Sequence, residues 1–193
     1  MLQRINKKHI EALRSIDAYA IFLFGSYINK YYNSSSDIDI GIIVKDESSI
    51  EDVDREFEKA SKEFHHHVLH KNVIVKRHLE SLASRESINE KIYGLETKIL
   101  PILNPKYMNS LSRKIKEAIV WHFIKECPRK DLFFNVLTPL GRFLSRVDSA
   151  KFVRVFTCDA SRNLLVREYS SILKSFVKNG ILSQIDEYTY SLR

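Results

Sequence analysis

Between Ala20 and Val44 the chain sets two apolar runs, Ala20 to Phe24 and Ile38 to Val44, around a polar loop that begins at Gly25-Ser26 and ends at Asp37. Both runs are short and rich in β-branched or aromatic residues, and turn formers lie between them, which predicts two buried strands. Ten residues separate Ser26 from Asp37, and Asp39 follows at the opening of the second run. Residues two apart on a strand share a face and lie roughly 6.6 Å apart. Asp37 and Asp39 can therefore serve one metal centre. Gly25 and Ser26 stand where a helix is expected to begin. A glycine there lets backbone approach a phosphate closely, and a helix N-terminus offers free N–H groups and positive potential. A phosphate site and a cation site would then face each other.

An isolated Asp-x-Asp carries little information, because paired acids are common on solvated faces. The joint pattern is more specific: Phe24-Gly25-Ser26, a spacer of ten, then Ser36-Asp37-Ile38-Asp39-Ile40 opening another apolar strand. It resembles the nucleotidyltransferase superfamily related to DNA polymerase beta, whose signature is Gly-Ser, about ten residues, and Asp-x-Asp. The resemblance covers residues 1–104, and the layout is most similar to that of the small stand-alone members called minimal nucleotidyltransferases.

Those proteins carry a leading helix, the Gly-Ser strand and turn, the Asp-x-Asp strand, a helix and a third strand. The sequence reads in the same order. Leu2 to Ile16 has near-helical apolar spacing. Ser48 and Ser49 offer caps for an acidic amphipathic helix running to Lys62, with Ile50, Val53, Phe57 and Ala60 inward. Val68 to Val75 reads as the third strand. Leu79 to Tyr93 reads as a helix broken at Gly94, and Leu95 to Leu103 as an edge strand before Pro105. The expected fold class is α+β: a nucleotidyltransferase-type mixed sheet flanked by helices over 1–104, followed by an all-α helical bundle over 105–193.

The resemblance implies magnesium-assisted transfer of a nucleoside monophosphate, AMP above all, from an NTP such as ATP to a hydroxyl acceptor. Asp37 and Asp39 are the implied catalytic and metal-binding residues. Gly25, Ser26, Lys30, Ser36, His70 and Asn72 are the implied nucleotide-binding positions. Two departures from the family stand out. Many relatives carry Arg-Gly shortly after Gly-Ser, where this chain has Asn29 and Lys30, the lysine being either a phosphate contact or a solvated loop residue. Competent members also place a third carboxylate on the third strand, yet this chain has no acid between Glu63 and Glu80. By alignment of the strand that position falls on Asn72, with His70 two residues earlier on the same face. Asparagine can coordinate magnesium through its carbonyl but cannot accept a proton. His70 can act as a base near neutral pH.

Charge divides the chain unevenly. Residues 1–104 have a net charge of −1 and residues 105–193 a net charge of +8. Met108 to Ile124 carries an apolar stripe of Leu111, Ile115, Ile119, Val120 and Phe123, and further helices are expected over 139–147, 149–156, 160–177 and 181–188. Arg142, Arg146, Lys151 and Arg154 form the best local basic cluster, which can meet RNA or simply face solvent. Phe133, Phe134, Phe143, Phe152 and Phe156 are expected in the core. His65, His66, His67 and His70 have no accompanying cysteine pair, and consecutive histidines on a strand alternate faces, so a zinc site is not expected. Cys127 and Cys158 are isolated, which fits a reducing cytoplasm. No signal peptide is expected, and the longest apolar run, Ala18 to Phe24, is too short to span a bilayer.

Two functional classes remain open from sequence. One is an enzyme moving a nucleotide onto a protein, an RNA end or a small molecule. The other is an impaired nucleotidyltransferase-like binding module, for example an antitoxin docking a HEPN-type ribonuclease toxin, a pairing the resemblance suggests. A fused active toxin is not expected: HEPN ribonucleases carry an arginine followed within about seven residues by a histidine, and His122 lies nine residues beyond Arg113.

Overall fold

The computed structural model describes residues 5–28, 37–65, 67–83, 94–95, 98–126, 133–137, 142–147, 151–154, 162–184 and 189–193. The chain divides into two compact units, Met1–Ile115 and Lys116–Arg193.

The first unit opens with α1 (Lys7–Arg14), followed by β1 (Ala20–Phe24) and β2 (Ile38–Val44). Then come α2 (Ile50–Ser61), β3 (Leu69–Val75), α3 (Lys76–Leu82), β4 (Leu100–Leu103) and α4 (Pro105–Glu126), within which the division between units falls. The four strands form one mixed sheet in the order β3-β2-β1-β4. β1 runs antiparallel to β2 and β4, while β2 and β3 run parallel, joined by the α2 crossover. A parallel pair needs such a crossover, because a tight turn cannot bring the chain back to the same end.

Burial explains the apolar runs. One face of the sheet carries Ile21, Leu23, Ile38, Ile40, Ile42 and Val44, packed against Leu13 and Ile16 and against Val53, Phe57, Ala60 and Phe64. β2 is central and covered on both faces, so its sequence reads as a continuous apolar run rather than an alternation. α1 is fixed at its start by a capping box in which the Asn6 side chain accepts from the His9 N–H and the His9 ring accepts from the Asn6 N–H. α2 carries Glu51 and Asp52 in its first turn and Lys59 in its last, each sign matched to the helix dipole.

The second face of the sheet holds Phe22 and Phe24 of β1 with Asp39, Gly41 and Ile43 of β2, as the β1–β2 register requires. The turn at Gly94-Leu95 lies over Phe24, and Ser112 of α4 donates to the Leu95 carbonyl at 3.0 Å. The candidate site lies at the end of this face where Phe24 pairs with Asp39.

The second unit corrects the expected all-α bundle. Among its described residues, β5 (Phe133–Leu137), β6 (Arg142–Val147), β7 (Lys151–Arg154), α5 (Arg162–Lys178), β8 (Leu182–Gln184) and β9 (Thr189–Leu192) follow the end of α4. The strands form an antiparallel sheet in the order β7-β6-β5-β9-β8. Among the described residues, only α5 matches a helix expected after Pro128. Segments of three to six residues are too short for helical and strand periods to be told apart, and cross-strand pairing decides them. The cluster Arg142, Arg146, Lys151 and Arg154 is thus spread over two paired strands, not along helices. Tyr169, Ile172, Leu173 and Phe176 of α5 are buried with Leu182, and Trp121 packs on Phe176 at 5.1 Å between ring centroids. Among the described residues no helix is long and apolar enough to cross a membrane.

Candidate functional site

The site begins where β1 ends. Gly25 adopts φ +76°, a left-handed backbone that side-chain-bearing residues rarely take, and leads into a single 3₁₀ turn, Ser26–Ile28. A Cβ built on Gly25 would land on Asp39 Oδ2. The glycine is therefore required twice, for its dihedral and for the space that admits the carboxylate. Its absent side chain brings the backbone of the turn against an acid on the neighbouring strand.

Asp39 is Cα partner to Phe24 across the β1–β2 pair. It is the one residue of β2 that is not buried, with 28% of its side chain exposed. An acid in an otherwise buried strand is costly unless solvent or a partner compensates its charge. Partial exposure and its neighbours meet that need. Asp37 immediately precedes β2 and is 41% exposed. β3 supplies the third side chain: His70 is the parallel partner of Asp39, and its Nδ1 lies 3.6 Å from Asp39 Oδ1 and 3.7 Å from Asp37 Oδ2. When the imidazole is protonated these are ion-pair contacts.

Asn72, the position expected for the missing acid, pairs with Gly41, one step further along the same face. His70 is thus the residue beside Asp39, and Asn72 stands behind it, half-buried. Between them Lys71 turns to the opposite face, where Nζ binds Asp54 Oδ1 at 2.6 Å and lies 5.2 Å from the Phe57 ring centroid. Strand alternation removes this cation from the site. Sequence reasoning passed over Gly41. A Cβ there would run into the Phe22 ring, so the ring lies across the glycine beneath the Asp39 end of the strand. A glycine inside a strand is the available signal of such a close approach.

The structure therefore brings Gly25, Asp37, Asp39 and His70 together, with Asn72 adjacent. Ser26 opens the 3₁₀ turn, its side chain outside the described set, and Lys30 and Ser36 lie outside the described residues. Among the described residues, no three His, Cys, Asp or Glu side chains are arranged to hold a metal ion by themselves. Two partly exposed carboxylates beside a backbone cradle nevertheless suit magnesium. That ion is usually held by one or two carboxylates with substrate phosphates and water completing its shell.

Residues 6–122 match the model of a family described as a nucleotidyltransferase domain. A comparison with curated proteins returns no match.

Proposed function

The chain belongs to the nucleotidyltransferase domain family, and on that premise we propose that it transfers a nucleoside monophosphate, AMP from ATP, to a hydroxyl acceptor with magnesium, the bond between the α- and β-phosphates breaking and pyrophosphate leaving. The observation that carries the proposal is the approach of Gly25 to Asp39, which sets the backbone of the turn after β1 directly against a carboxylate. Asp37 and Asp39 hold the cation, and backbone N–H groups of the turn after Gly25 receive the outer phosphates. Bound magnesium supplies positive charge to the phosphoryl oxygens. His70, beside both aspartates, receives the proton of the acceptor hydroxyl, the duty that a third carboxylate would otherwise perform. Positioning and charge stabilisation dominate such a transfer, so an imidazole at this place lowers its rate without removing its basis.

A second reading is favoured by one observation, the lack of any acid between Glu63 and Glu80. In it the domain has lost turnover and acts by docking a protein, as an antitoxin would a toxin. Calorimetry of ATP with magnesium is the first test. Native binding that Asp37→Ala with Asp39→Ala loses supports a metal–nucleotide site, and label transfer from α-³²P ATP then distinguishes enzyme from binder. Absence of binding to ATP and to the other NTPs rejects the enzyme reading and leaves the partner-docking module.

A further inference from the structure

The two halves of the candidate site, the turn after Gly25 and the start of β2, are both engaged by one dipeptide that belongs to neither. Val68 accepts a hydrogen bond from the N–H of Ile38, the residue between the two aspartates, at 2.9 Å. The residue before it, His67, sets its ring edge-on to Tyr27 with centroids 5.6 Å apart and planes at 84°. Tyr27 is only 7% exposed and lies in the 3₁₀ turn that begins at Ser26.

His67 is itself held from behind. Its N–H donates to the Phe64 carbonyl at 2.8 Å, and its ring meets His9 edge-on at 6.2 Å. His9 is 7% exposed, stacked on Phe64 at 4.4 Å, and bonded at both ring nitrogens. Nδ1 accepts from the Asn6 N–H at 3.3 Å, and Nε2 bonds the Glu63 carbonyl at 3.0 Å. A carbonyl can only accept and an N–H can only donate, so these partners define a neutral ring with its proton on Nε2. The ring therefore has one orientation and one tautomer. A column of rings, Phe64, His9, His67 and Tyr27, runs from the start of α1 to the phosphate-binding turn.

We propose that His67 is a positioning residue for the nucleotide site: through Tyr27 it fixes the Gly25–Ile28 turn, while the adjoining Val68 carbonyl fixes the Asp37–Asp39 segment at the matching distance. The inference rests on the nucleotide reading above and names the part of the fold that sets the spacing of its two halves. Edge-on ring contacts orient rings rather than merely fill space, and His67 is half-buried, so removing it shifts the turn without emptying the core.

The test compares full-length native chain, His67→Ala and His67→Phe, the last keeping a ring at the position. Amide hydrogen exchange of the segment 25–28 is read without nucleotide, and ATP–magnesium affinity is read by calorimetry. In His67→Ala, exchange in the turn rises and ATP affinity falls, each by about tenfold, as loss of one oriented ring contact allows, while the thermal midpoint stays near native. His67→Phe restores both. Unchanged exchange in His67→Ala overturns the contact as a restraint on the turn. Faster exchange with native ATP affinity overturns the positioning role while leaving the nucleotide reading intact. A native chain that binds no NTP overturns that reading and the positioning role with it, even where exchange responds.

Discussion

His70 faces Asp39 across the β2–β3 ladder, its Nδ1 3.6 Å from the nearer carboxylate oxygen. The segment without any acid between Glu63 and Glu80 thus delivers an imidazole to the place beside Asp37 and Asp39. Replacing it by an acid tests what that substitution means. In His70→Asp three carboxylates crowd one exposed site, and their repulsion destabilises the metal-free protein by about 1 kcal/mol or less at this exposure. Magnesium relieves the repulsion, so the thermal shift it produces is larger in His70→Asp than in the native chain, and magnesium affinity rises about tenfold with the added hard ligand. His70→Asn, with no charge, gives neither change. Melting curves with and without magnesium measure both effects.

Gly25→Ala combines two penalties that sequence position alone would not separate. The left-handed backbone at φ +76° costs a side-chain-bearing residue about 1–2 kcal/mol. The new methyl also displaces the Asp39 carboxylate. The expected outcome is a modest loss of stability in denaturant melts and a disproportionate loss of magnesium-dependent ATP binding by calorimetry. A variant that loses stability but binds ATP as the native chain does would place the carboxylate outside the nucleotide site.

The first unit was legible because its strands declare themselves. β1 and β2 appear at the residues their apolar runs marked, and α2 buries Val53, Phe57 and Ala60 as its period required. Gly25, Asp37 and Asp39 were legible for the same reason, since a turn and a strand start fix them locally. The neighbour of Asp39 was not, because register between β2 and β3 is set by the α2 crossover and by pairing, and a single strand's sequence holds neither. A shift of two residues keeps the face and changes the neighbour, so the sequence put both His70 and Asn72 on the site's face without saying which of them lies beside Asp39. In the second unit, Arg142–Val147 and Lys151–Arg154 are too short to carry a period, and their strand form depends on cross-strand partners, β5 for the first and each other for both. The Tyr27–His67 contact joins residues forty positions apart and leaves no trace in either local pattern.

Gly41→Ala separates packing from chemistry. The residue lies two positions beyond Asp39 on the same face, where a methyl would enter the Phe22 ring. Overpacking of this kind costs about 1–3 kcal/mol. Phe22 is fully buried and cannot swing into solvent, so the cost falls on the sheet. Equilibrium urea unfolding should show a lowered midpoint with little change in slope. Pairing it with Phe22→Leu, which makes room, should recover part of the loss, and failure to recover would show that the ring is not what opposes the methyl.

Alkaline stability depends on Tyr107, at the far end of the sheet from the aspartates. Its ring meets Tyr19 edge-on at 4.8 Å, and Lys76, paired with Glu80 at 3.4 Å, lies over Tyr19. Burial pushes the Tyr107 phenol well above its ordinary value of 10.0, and the Glu80 carboxylate and Tyr19 push it further in the same direction. The folded state therefore keeps this proton at pH values where the unfolded chain releases it. The linked contribution is fully present below pH 10.0 and is lost as pH rises through the raised folded value. Tyr107→Phe cannot ionise in either state. Its thermal midpoint relative to the native chain should stay constant from pH 7 to 9 and rise steadily above pH 10. A constant difference across the whole range would mean that the phenol ionises as readily in the folded protein as in the unfolded one.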